Sequence, residues 1–334
     1  MQLLVLALLI VDAVAHPAHP IHPNDDLLLP LAIIADLDYE AKDGNIWYSP
    51  MSIGSLALNA NRSAAFIHWS STHNYTSKLN YNGRGMELSD MKYYEGKLLT
   101  IDDKTGVVYK LDGKKAVPWV ILSKGDGNEE GFFKGEWFTI KGGYLYCGSH
   151  GREYTTPEGE YLNDTPMYVK RISSEGAVQT ENWVQRYIML RGAIGIHFPG
   201  YVIHEAVQWS DIHNRWFFLP RHMSKLAYNA ETTVETGANV LIIASDDMEE
   251  IVAVPIGKEM VTRGFSAFQF VPRTDDTVIV ATKTEEISGT TFSSFVMVFT
   301  ITGEVILDET RIPGSYKYEG LEFLYDEVLN NLTE

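Results

Sequence analysis

The sequence predicts an all-β fold, a five-bladed β-propeller, and three observations support that prediction. Short runs rich in β-branched or aromatic residues recur from residue 31 onward, whereas long amphipathic helical periods are scarce. Turn signals that contain glycine separate these runs, for example at residues 104–106, 112–113, 141–143 and 302–303. About twenty short strands in about 300 residues correspond to roughly five four-stranded blades.

The predicted strands follow one another without a linker-like tract, so a single domain is the simplest interpretation. The clearest runs are residues 46–48, 98–101, 107–111, 119–122, 137–140, 167–171, 216–219, 240–243, 277–281 and 295–299. The best candidate for a helix is residues 181–190. A pair of β-sandwiches is an alternative, because it would use the same short strands.

Five segments each combine the end of a strand-like run with a turn rich in glycine or acidic residues. The oxygen-bearing residues at their centres are Ser89, Glu136, Glu205, Ser266 and Glu319. They are 47, 69, 61 and 53 residues apart, which suits one residue per blade of a radial repeat. A hard cation such as Ca²⁺ binds roughly six to eight oxygens, so a site on the propeller axis could take one ligand from every blade. Each residue taken alone also fits a solvated turn. The similar position and spacing of all five favour a metal site.

Composition and charge exclude several kinds of partner. The chain has 334 residues, of which 45% are hydrophobic, so it can bury a large core. A formal net charge of −17 argues against binding to nucleic acid or to an anionic membrane, because both depend on Lys and Arg that neutralise phosphate. A polyanionic ligand would need a bridging cation. Cys147 is the single cysteine, so no intrachain disulfide can form, and its strand-like context favours a small buried apolar role.

The N-terminus has the pattern of an export signal, although a buried first strand is an alternative. Residues 1–15 contain an apolar stretch too short to span a bilayer, followed by small residues suited to signal peptidase. A leader rich in proline and histidine follows at residues 16–30; it is solvated in the simplest interpretation, and could otherwise bind a transition metal. Residues 31–334 form the predicted propeller domain. We therefore expect a secreted, extracellular protein, and four sequons agree with that route: Asn61, Asn74, Asn163 and Asn331.

A second acidic group contains Asp36 and Asp38, and further along the chain Asp90, Asp102 and Asp103. Residues i and i+2 of a strand point to the same face, so Asp36 and Asp38 are expected to reach one cavity. Crowded carboxylates are costly unless a cation or a shared proton offsets their repulsion. Residues 102–106 also have the composition of a simple hairpin turn.

Other hydrolase chemistries lack their motifs. The sequence contains neither a G-x-S-x-G nucleophile elbow nor a G-x-x-x-x-G-K-[ST] phosphate loop. Residues 211–213 match the first element of a two-metal phosphoesterase, but the later elements are missing. Residues 126–131 resemble the start of an EF-hand loop, yet Trp137 stands at the twelfth position, where a bidentate Glu belongs.

Six longer motifs lie along the chain: RGMELSD at 84–90, IDDKTGVVY at 101–109, AVPWVIL at 116–122, GYVIHE at 200–205, RWFFLPR at 215–221 and KYEGLEF at 317–323. Together they resemble the calcium-activated nucleotidases, also called Cimex-type apyrases, over nearly the whole of residues 33–324. The resemblance implies a five-bladed propeller that uses Ca²⁺ to hydrolyse nucleoside di- and triphosphates. Secreted chains of this size resemble salivary apyrases of blood-feeding insects, which implies a role in blocking platelet aggregation.

The resemblance also implies a role for each group of residues. The metal ligands around one Ca²⁺ near the axis are Ser89, Glu136, Glu205, Ser266 and Glu319. The residues that orient or deprotonate the attacking water are Asp36, Asp38, Asp103 and Glu136. Arg152 and Arg221 bind the polyphosphate, for which guanidinium forks are suited, although each alone could be a surface salt-bridge residue. His150 and His204 are further candidates for auxiliary donors, although the position of His204 beside Glu205 favours a packed neighbour of the metal site.

These features predict a secreted, Ca²⁺-dependent apyrase in which water attacks the terminal phosphate in line. The expected substrates are ADP and ATP, with UDP and GDP as further candidates. Mg²⁺ is expected to substitute poorly, because its tight octahedral shell suits an open site built from several blades less well. Two alternatives stay open. One is a Ca²⁺-dependent propeller that hydrolyses esters or lactones, and the other is a secreted propeller that binds a ligand without catalysis.

Overall fold

The computed structural model describes residues 25–287 and 291–333, which form a five-bladed β-propeller. The predicted signal segment and the histidines of the predicted leader lie outside the described residues. Strands dominate the described ranges, and this confirms the predicted all-β class. None of the helices in these ranges has the length and apolar character needed to cross a bilayer.

The strands are numbered here in chain order. The first four are β1 (Leu27–Asp36), β2 (Lys42–Asp43), β3 (Ile46–Leu58) and β4 (Ala65–Ser77). Blade 1 contains β5 (Leu88–Tyr94), β6 (Lys97–Asp102), β7 (Val107–Asp112) and β8 (Lys115–Ile121). Blade 2 begins with β9 (Trp137–Lys141) and β10 (Tyr144–Gly148). A separate ribbon of β11 (Tyr154–Thr155) and β12 (Tyr161–Asn163) follows, and blade 2 ends with β13 (Tyr168–Ile172) and β14 (Val178–Asn182).

Blade 3 contains β15 (Tyr201–Ser210), β16 (Arg215–Ser224), β17 (Val240–Ala244) and β18 (Ile251–Pro255). Blade 4 contains β19 (Arg263–Phe270), β20 (Val278–Ile287), β21 (Thr291–Thr300) and β22 (Val305–Arg311). The last strand is β23 (Lys317–Phe323). Short 3₁₀ turns occur at Asp38–Ala41, Thr165–Met167 and Thr233–Glu235. The helices are α1 (Val184–Ala193), which overlaps the predicted helix, and α2 (Asp326–Thr333).

Blade 5 is assembled from both ends of the chain, which closes the ring of blades without a covalent link. β23 pairs antiparallel with β1, and β1 pairs with β3, which also pairs with β2 and β4. Leu31, Ile33 and Ile34 of β1 are completely buried, and each such side chain contributes about 1.5–3 kcal/mol to stability. β1 begins at Leu27, so the propeller includes residues that the sequence assigned to the leader.

The innermost strands of blades 1 to 5 are β5, β9, β15, β19 and β23. Each contacts the next in a closed circle around the central axis. Apolar clusters fill the spaces between the blades, and one of them contains Trp137, Trp183 and Trp216. Cys147 is fully buried in another cluster, as its sequence context predicted. The five innermost strands therefore form a rigid frame for any side chains that project into the axial channel.

Candidate active site

Each innermost strand is irregular at the residue that the sequence singled out. In β5, Leu88 pairs with Asp102 and Asp90 pairs with Ile101, so Ser89 has no partner across the sheet. The same insertion of one residue occurs at Glu205 in β15, Ser266 in β19 and Glu319 in β23. Such β-bulges leave one residue unpaired and change the direction of its side chain.

Glu136 has the equivalent position in blade 2, immediately before β9. Its backbone N–H donates to the carbonyl of Gly148 at 2.7 Å, although Gly148 already pairs with Trp137. Two residues therefore face one, which is the pattern of a bulge. A Cβ at Gly148 would lie 2.0 Å from the Trp137 ring, so glycine is required at position 148, opposite this bulge.

We call these five residues the bulge ring: Ser89, Glu136, Glu205, Ser266 and Glu319. Direct contacts link neighbouring members across the blades. Ser266 Oγ donates to the carbonyl of Tyr318, the residue before Glu319, at 2.8 Å. Gly320 lies against the backbone of Asp90, the residue after Ser89. Bulges are common next to active sites, and the five members of the bulge ring come from all five blades.

Arg221 lies between two carboxylates of the bulge ring. Its Nη1 donates to Glu319 Oε1 at 2.7 Å and to Glu205 Oε2, and its Nη2 donates to Glu286 Oε1. Glu286 belongs to β20 and was not identified from the sequence. The buried guanidinium thus bridges carboxylates from blades 3, 4 and 5.

Two lysines join the bulge ring to the second acidic group. Lys317 Nζ lies 2.7 Å from Asp36 Oδ2, 2.9 Å from Asp38 Oδ2 and 3.4 Å from Glu319 Oε1. Lys134 Nζ lies 2.6 Å from Asp103 Oδ2 and also contacts Glu136 Oε1. Carboxylates and basic groups therefore alternate across the site, which offsets the repulsion among so many acids.

Asp36 and Asp38 meet at Lys317, but the expected reason was wrong. β1 ends at Asp36, and Asp38 has a φ of 49° at the start of a 3₁₀ turn. The backbone N–H of Asp38 donates to Asp36 Oδ1 at 2.7 Å. A turn, rather than the alternation of a strand, brings the two carboxylates together.

The structure divides the other predicted aspartates between two roles. Asp103 joins Asp36 and Glu87 in an acidic cluster, in which one carboxylate oxygen from each residue lies within 4.8 Å of the other two. Asp102 holds the turn instead, because its carboxylate accepts from the backbone N–H of Met86 at 2.8 Å. Asp90 is buried between blades, where its carboxylate accepts from the N–H of Phe138 at 2.6 Å.

Comparison with known proteins decides what kind of site this is. Residues 35–324 match the family model described as Apyrase. The chain belongs to the apyrase family. Its relatives include Apyrase apy-1 of Caenorhabditis elegans, 48% identical over 88% of this chain and 83% of the nematode protein. Soluble calcium-activated nucleotidase 1 of Mus musculus is 46% identical over 88% of this chain and 73% of the mouse protein.

An insect relative extends the comparison. Apyrase of Cimex lectularius is 42% identical over 91% of this chain and 85% of the insect protein. Membership of the apyrase family makes the chain a nucleotide phosphohydrolase. Such an enzyme binds phosphate groups of high negative charge, although this chain is itself strongly acidic.

Burial raises the pKa of several carboxyls of the candidate site, and the basic groups oppose that effect. Burial is the largest influence on Glu136, whose pKa rises to about 7 even though Lys134 favours the charged form. The pKa of Glu319 is raised well above its usual value, chiefly by burial. The pKa of Glu87 rises to about 8 through burial and the neighbouring charge of Asp36. Burial also acts on Asp103, but Lys134 and Lys104 outweigh it and lower the pKa.

The donor atoms of the bulge ring fit a hard cation. The ring offers oxygen donors, which Ca²⁺ prefers, from two serines and three glutamates. Ser89 Oγ is buried and has no hydrogen-bond partner among the described residues. A buried hydroxyl without a partner costs about 1–3 kcal/mol of free energy, and a ligand that bound to it would offset this cost. The acidic cluster is a second candidate for a cation, and Asp103 Oδ1 is likewise buried without a partner there.

Arg152 lies in the loop after β10, beside the site rather than between the ring carboxylates. Its Nη1 donates to the carbonyl of Glu153 at 2.7 Å, and its guanidinium lies 3.7 Å from the centre of the Tyr228 ring. Arg152 Nε is buried without a partner among the described residues, so it remains a donor for a ligand.

The two histidines are buried and neutral. Burial lowers the pKa of His204 to about 3, and its ring stacks on Tyr187 with centroids 5.3 Å apart. Burial, with help from Arg152, lowers the pKa of His150 well below its usual value. The backbone N–H of His204 donates to the carbonyl of His150 at 2.9 Å. Both residues therefore help to position blade 3 against the loop after β10.

Sequence reasoning missed three charged residues that complete the site: Glu87, Lys134 and Lys317. Each of them stands two positions before a member of the bulge ring. The same distance of two residues recurs in all three cases. It can be interpreted only when the positions of the bulges are known, and sequence patterns do not reveal them. Arg84 was also missed, and its guanidinium contacts Asp38 at 2.8 Å and Glu87.

The same strands carry a second set of polar residues at the opposite end of the channel, three positions after each bulge: Lys92, Thr139, Gln208, Gln269 and Glu322. Lys92 Nζ donates to Gln208 Oε1 at 3.0 Å and to Gln269 Oε1 at 2.6 Å, which ties the strands together there. A cavity of about 440 Å³ opens outside this network, and its lining contains no member of the bulge ring. The acidic site and this opposite end are therefore chemically distinct.

Gly264 allows β19 to approach Arg221 closely, and its replacement tests how tightly the site is held. A Cβ at Gly264 would lie 2.2 Å from the backbone oxygen of Arg221. Gly264→Ala should therefore shift Arg221, lower the free energy of unfolding by roughly 1–3 kcal/mol and reduce phosphate release at least about tenfold. Gly192→Ala is the control, because a Cβ there meets nothing closer than 3.6 Å. Equal stability and activity of the two variants would contradict this account of the packing.

Proposed function

We propose that this chain is an exported, Ca²⁺-dependent nucleotidase that hydrolyses the phosphoanhydride bonds of extracellular nucleoside di- and triphosphates. The observation that supports the proposal is the bulge ring, whose three glutamates contact Arg221, Lys134 and Lys317. The name of the mouse relative, a calcium-activated nucleotidase, supports the same choice of metal.

The bulge ring is proposed to hold one Ca²⁺ on the propeller axis. Its oxygens would supply part of the roughly six to eight ligands that Ca²⁺ takes, and water and phosphate would supply the others. Bound Ca²⁺ supplies positive charge where negative charge develops on the phosphate oxygens during hydrolysis. The protein residues around it bind the substrate and position the attacking water.

Asp103, Asp36 and Asp38 are proposed to position and activate that water. Lys134 fixes Asp103 through Oδ2 and leaves Oδ1 buried and free to accept a hydrogen bond. Lys317 fixes Asp36 and Asp38 in the same way from the other side. Ammonium groups on both sides keep these carboxylates close together, where a water can lie against more than one of them.

Arg221 and Arg152 are proposed to bind the polyphosphate. Guanidinium groups present several donors in a fixed plane, which suits phosphate oxygens. Arg221 is held rigid by three carboxylates, and Arg152 is held by Glu153, Thr155 and the Tyr228 ring. Groups fixed in this way require little reorganisation when the substrate binds.

Export and a role in blood feeding extend the proposal. The sequons at Asn61 and Asn74 lie on exposed residues, so both are accessible to glycosylation. Removal of extracellular ADP would block platelet aggregation, the role that the resemblance to salivary apyrases implies. Cimex lectularius and Phlebotomus duboscqi are the sources of two apyrases to which this chain is similar.

The proposal is tested by measuring phosphate release from ADP and ATP with Ca²⁺, with Mg²⁺ and with a chelator. We expect release with Ca²⁺, at least about tenfold less with Mg²⁺, and none after chelation, because the open oxygen site suits the larger ion. UDP and GDP assayed in parallel define the substrate range. Nucleotide binding without phosphate release in the presence of Ca²⁺ would contradict the proposal and favour a ligand-binding propeller. Activity that survives complete chelation would contradict the metal dependence.

A further inference from the structure

An unusually exposed aromatic residue stands at the rim of the site. Tyr39 is 76% exposed, although its neighbours in the chain, Asp38 and Ala41, contact the site and the core respectively. Large aromatic rings bury most of their surface in a stable fold, unless they present it to a partner. The ring belongs to the 3₁₀ turn that begins at Asp38, a residue whose positive φ turns the chain away from β1.

One face of the Tyr39 ring is backed by a fixed cation. The guanidinium carbon of Arg84 lies 4.2 Å from the ring centroid. Arg84 is itself held by Asp38 at 2.8 Å and by Glu87, a member of the acidic cluster. A guanidinium that is bonded at two carboxylates moves little, so the ring above it has a defined position. The other face of the ring is open to solvent.

A short series of contacts connects the Tyr39 turn to the proposed phosphate site. Asp38 contacts Lys317, and Lys317 contacts Glu319 of the bulge ring. Tyr39 follows Asp38 directly in the chain, so it adjoins the proposed phosphate site without being part of it. In a nucleoside diphosphate the sugar separates the base from the phosphates, so the base must lie at the rim when the terminal phosphate is at the centre.

We infer that Tyr39 is the residue on which the nucleobase of the substrate stacks, with Arg84 as its support. This inference rests on the proposed function and adds the part of the substrate that the phosphate site does not hold. Stacking on an aromatic face does not read the edges of a base. The enzyme is accordingly broad in base specificity, and it prefers purines over pyrimidines only by the larger area that they stack.

Other rings at the rim are less suitable platforms. Tyr81 and Phe132 pack edge to face with centroids 5.1 Å apart and are only 42% and 38% exposed. Tyr154 packs edge to face against His150. Tyr228 covers Arg152 and is only partly exposed. Tyr39 alone among these rings combines a large open face with a rigid support.

The experiment compares ADP with inorganic tripolyphosphate, which has phosphates but no base. For Tyr39→Ala we expect the KM for ADP to rise roughly 5- to 150-fold while kcat changes little. The KM of tripolyphosphate, or its inhibition constant if it is turned over slowly, should stay within about twofold of wild type. Tyr39→Phe should restore the wild-type KM for ADP, because it keeps the aromatic face. A tyrosine that acted only through the structure would change both substrates alike.

Tyr81→Ala is the matched control, since it removes another exposed tyrosine, one that packs edge to face against Phe132 instead. The inference is overturned if Tyr39→Ala leaves the KM for ADP unchanged, or if Tyr81→Ala produces the selective loss. It is also overturned if Tyr39→Ala weakens the binding of ADP and the binding of tripolyphosphate equally. Failure of the wild-type protein to release phosphate from any nucleotide would refute the proposed function itself. This outcome is distinguishable from failure of the inference, because the wild-type protein is assayed before the variants are compared.

Discussion

Replacing Glu205 with glutamine is expected to weaken Ca²⁺ binding about 10- to 100-fold and to lower kcat/KM for ADP by roughly 10²- to 10³-fold. Glutamine keeps the shape of the side chain and an oxygen that Arg221 can bind, but it removes the negative charge. Glu205 is the least buried carboxylate of the bulge ring, with a side chain that is 13% exposed, so the change should leave the fold intact. Calorimetric titration with Ca²⁺ and phosphate release at saturating Ca²⁺ measure the two effects.

The control for this prediction is Glu249→Gln, a substitution in the exposed loop after β17. It removes the same charge from the chain without touching the axis, so any general effect of net charge appears in both variants. Equal Ca²⁺ affinity of Glu205→Gln and wild type would remove Glu205 from the metal site. A large drop in the melting temperature of Glu205→Gln would instead indicate that the residue stabilises the fold.

Replacing Arg221 with alanine is expected to damage both stability and activity. Arg221 is the shared partner of three carboxylates from three blades, and its side chain is 5% exposed. Removing one partner from a buried ionic network leaves uncompensated charge and costs about 3–5 kcal/mol of unfolding free energy. Loss of a fixed phosphate donor should also lower kcat/KM for ADP by roughly 10²- to 10³-fold. Chemical denaturation and phosphate release measure the two effects.

Two further variants separate charge from geometry at this position. Arg221→Lys keeps the charge but cannot span three carboxylates, so stability should recover more than activity. Arg215→Ala removes a half-buried arginine whose partner is the exposed Glu250, and it should change stability by less than about 1 kcal/mol. If Arg221→Ala unfolds like wild type and retains its activity, Arg221 neither stabilises the axis nor binds phosphate.

The recurrence of oxygen-bearing residues made the frame of the site predictable from the sequence. Ser89 and Ser266 are weak candidates alone, but their spacing from the three glutamates follows the blades. The structure puts four of the five at bulges of innermost strands and Glu136 at the equivalent position immediately before β9. A periodic fold converts sequence spacing into position on a ring, and this is why residues far apart in the chain could be grouped as candidates for one site.

The parts of the site that were missed depend on local backbone irregularities. Glu87 and Lys134 lie just before β5 and β9, outside the strands, so the side-chain period of two that assigns strand residues to a face does not predict where they point. The meeting of Asp36 with Asp38 depends on a positive φ that no pattern of residue types required. Asp90 carries a carboxylate, as a member of the acidic cluster would, but the bulge at Ser89 directs its side chain into the space between two blades.

The most direct measurement of the central claim is the anomalous diffraction signal from crystals grown with Ca²⁺. We expect one peak on the propeller axis, with oxygen atoms of Ser89, Glu205 and Glu319 among the ligands at about 2.3–2.6 Å. Crystals of Glu205→Gln under the same conditions should show a weaker peak at that position. A peak held instead by Asp36, Glu87 and Asp103, with none on the axis at saturating Ca²⁺, would contradict the assignment of the bulge ring as the metal site.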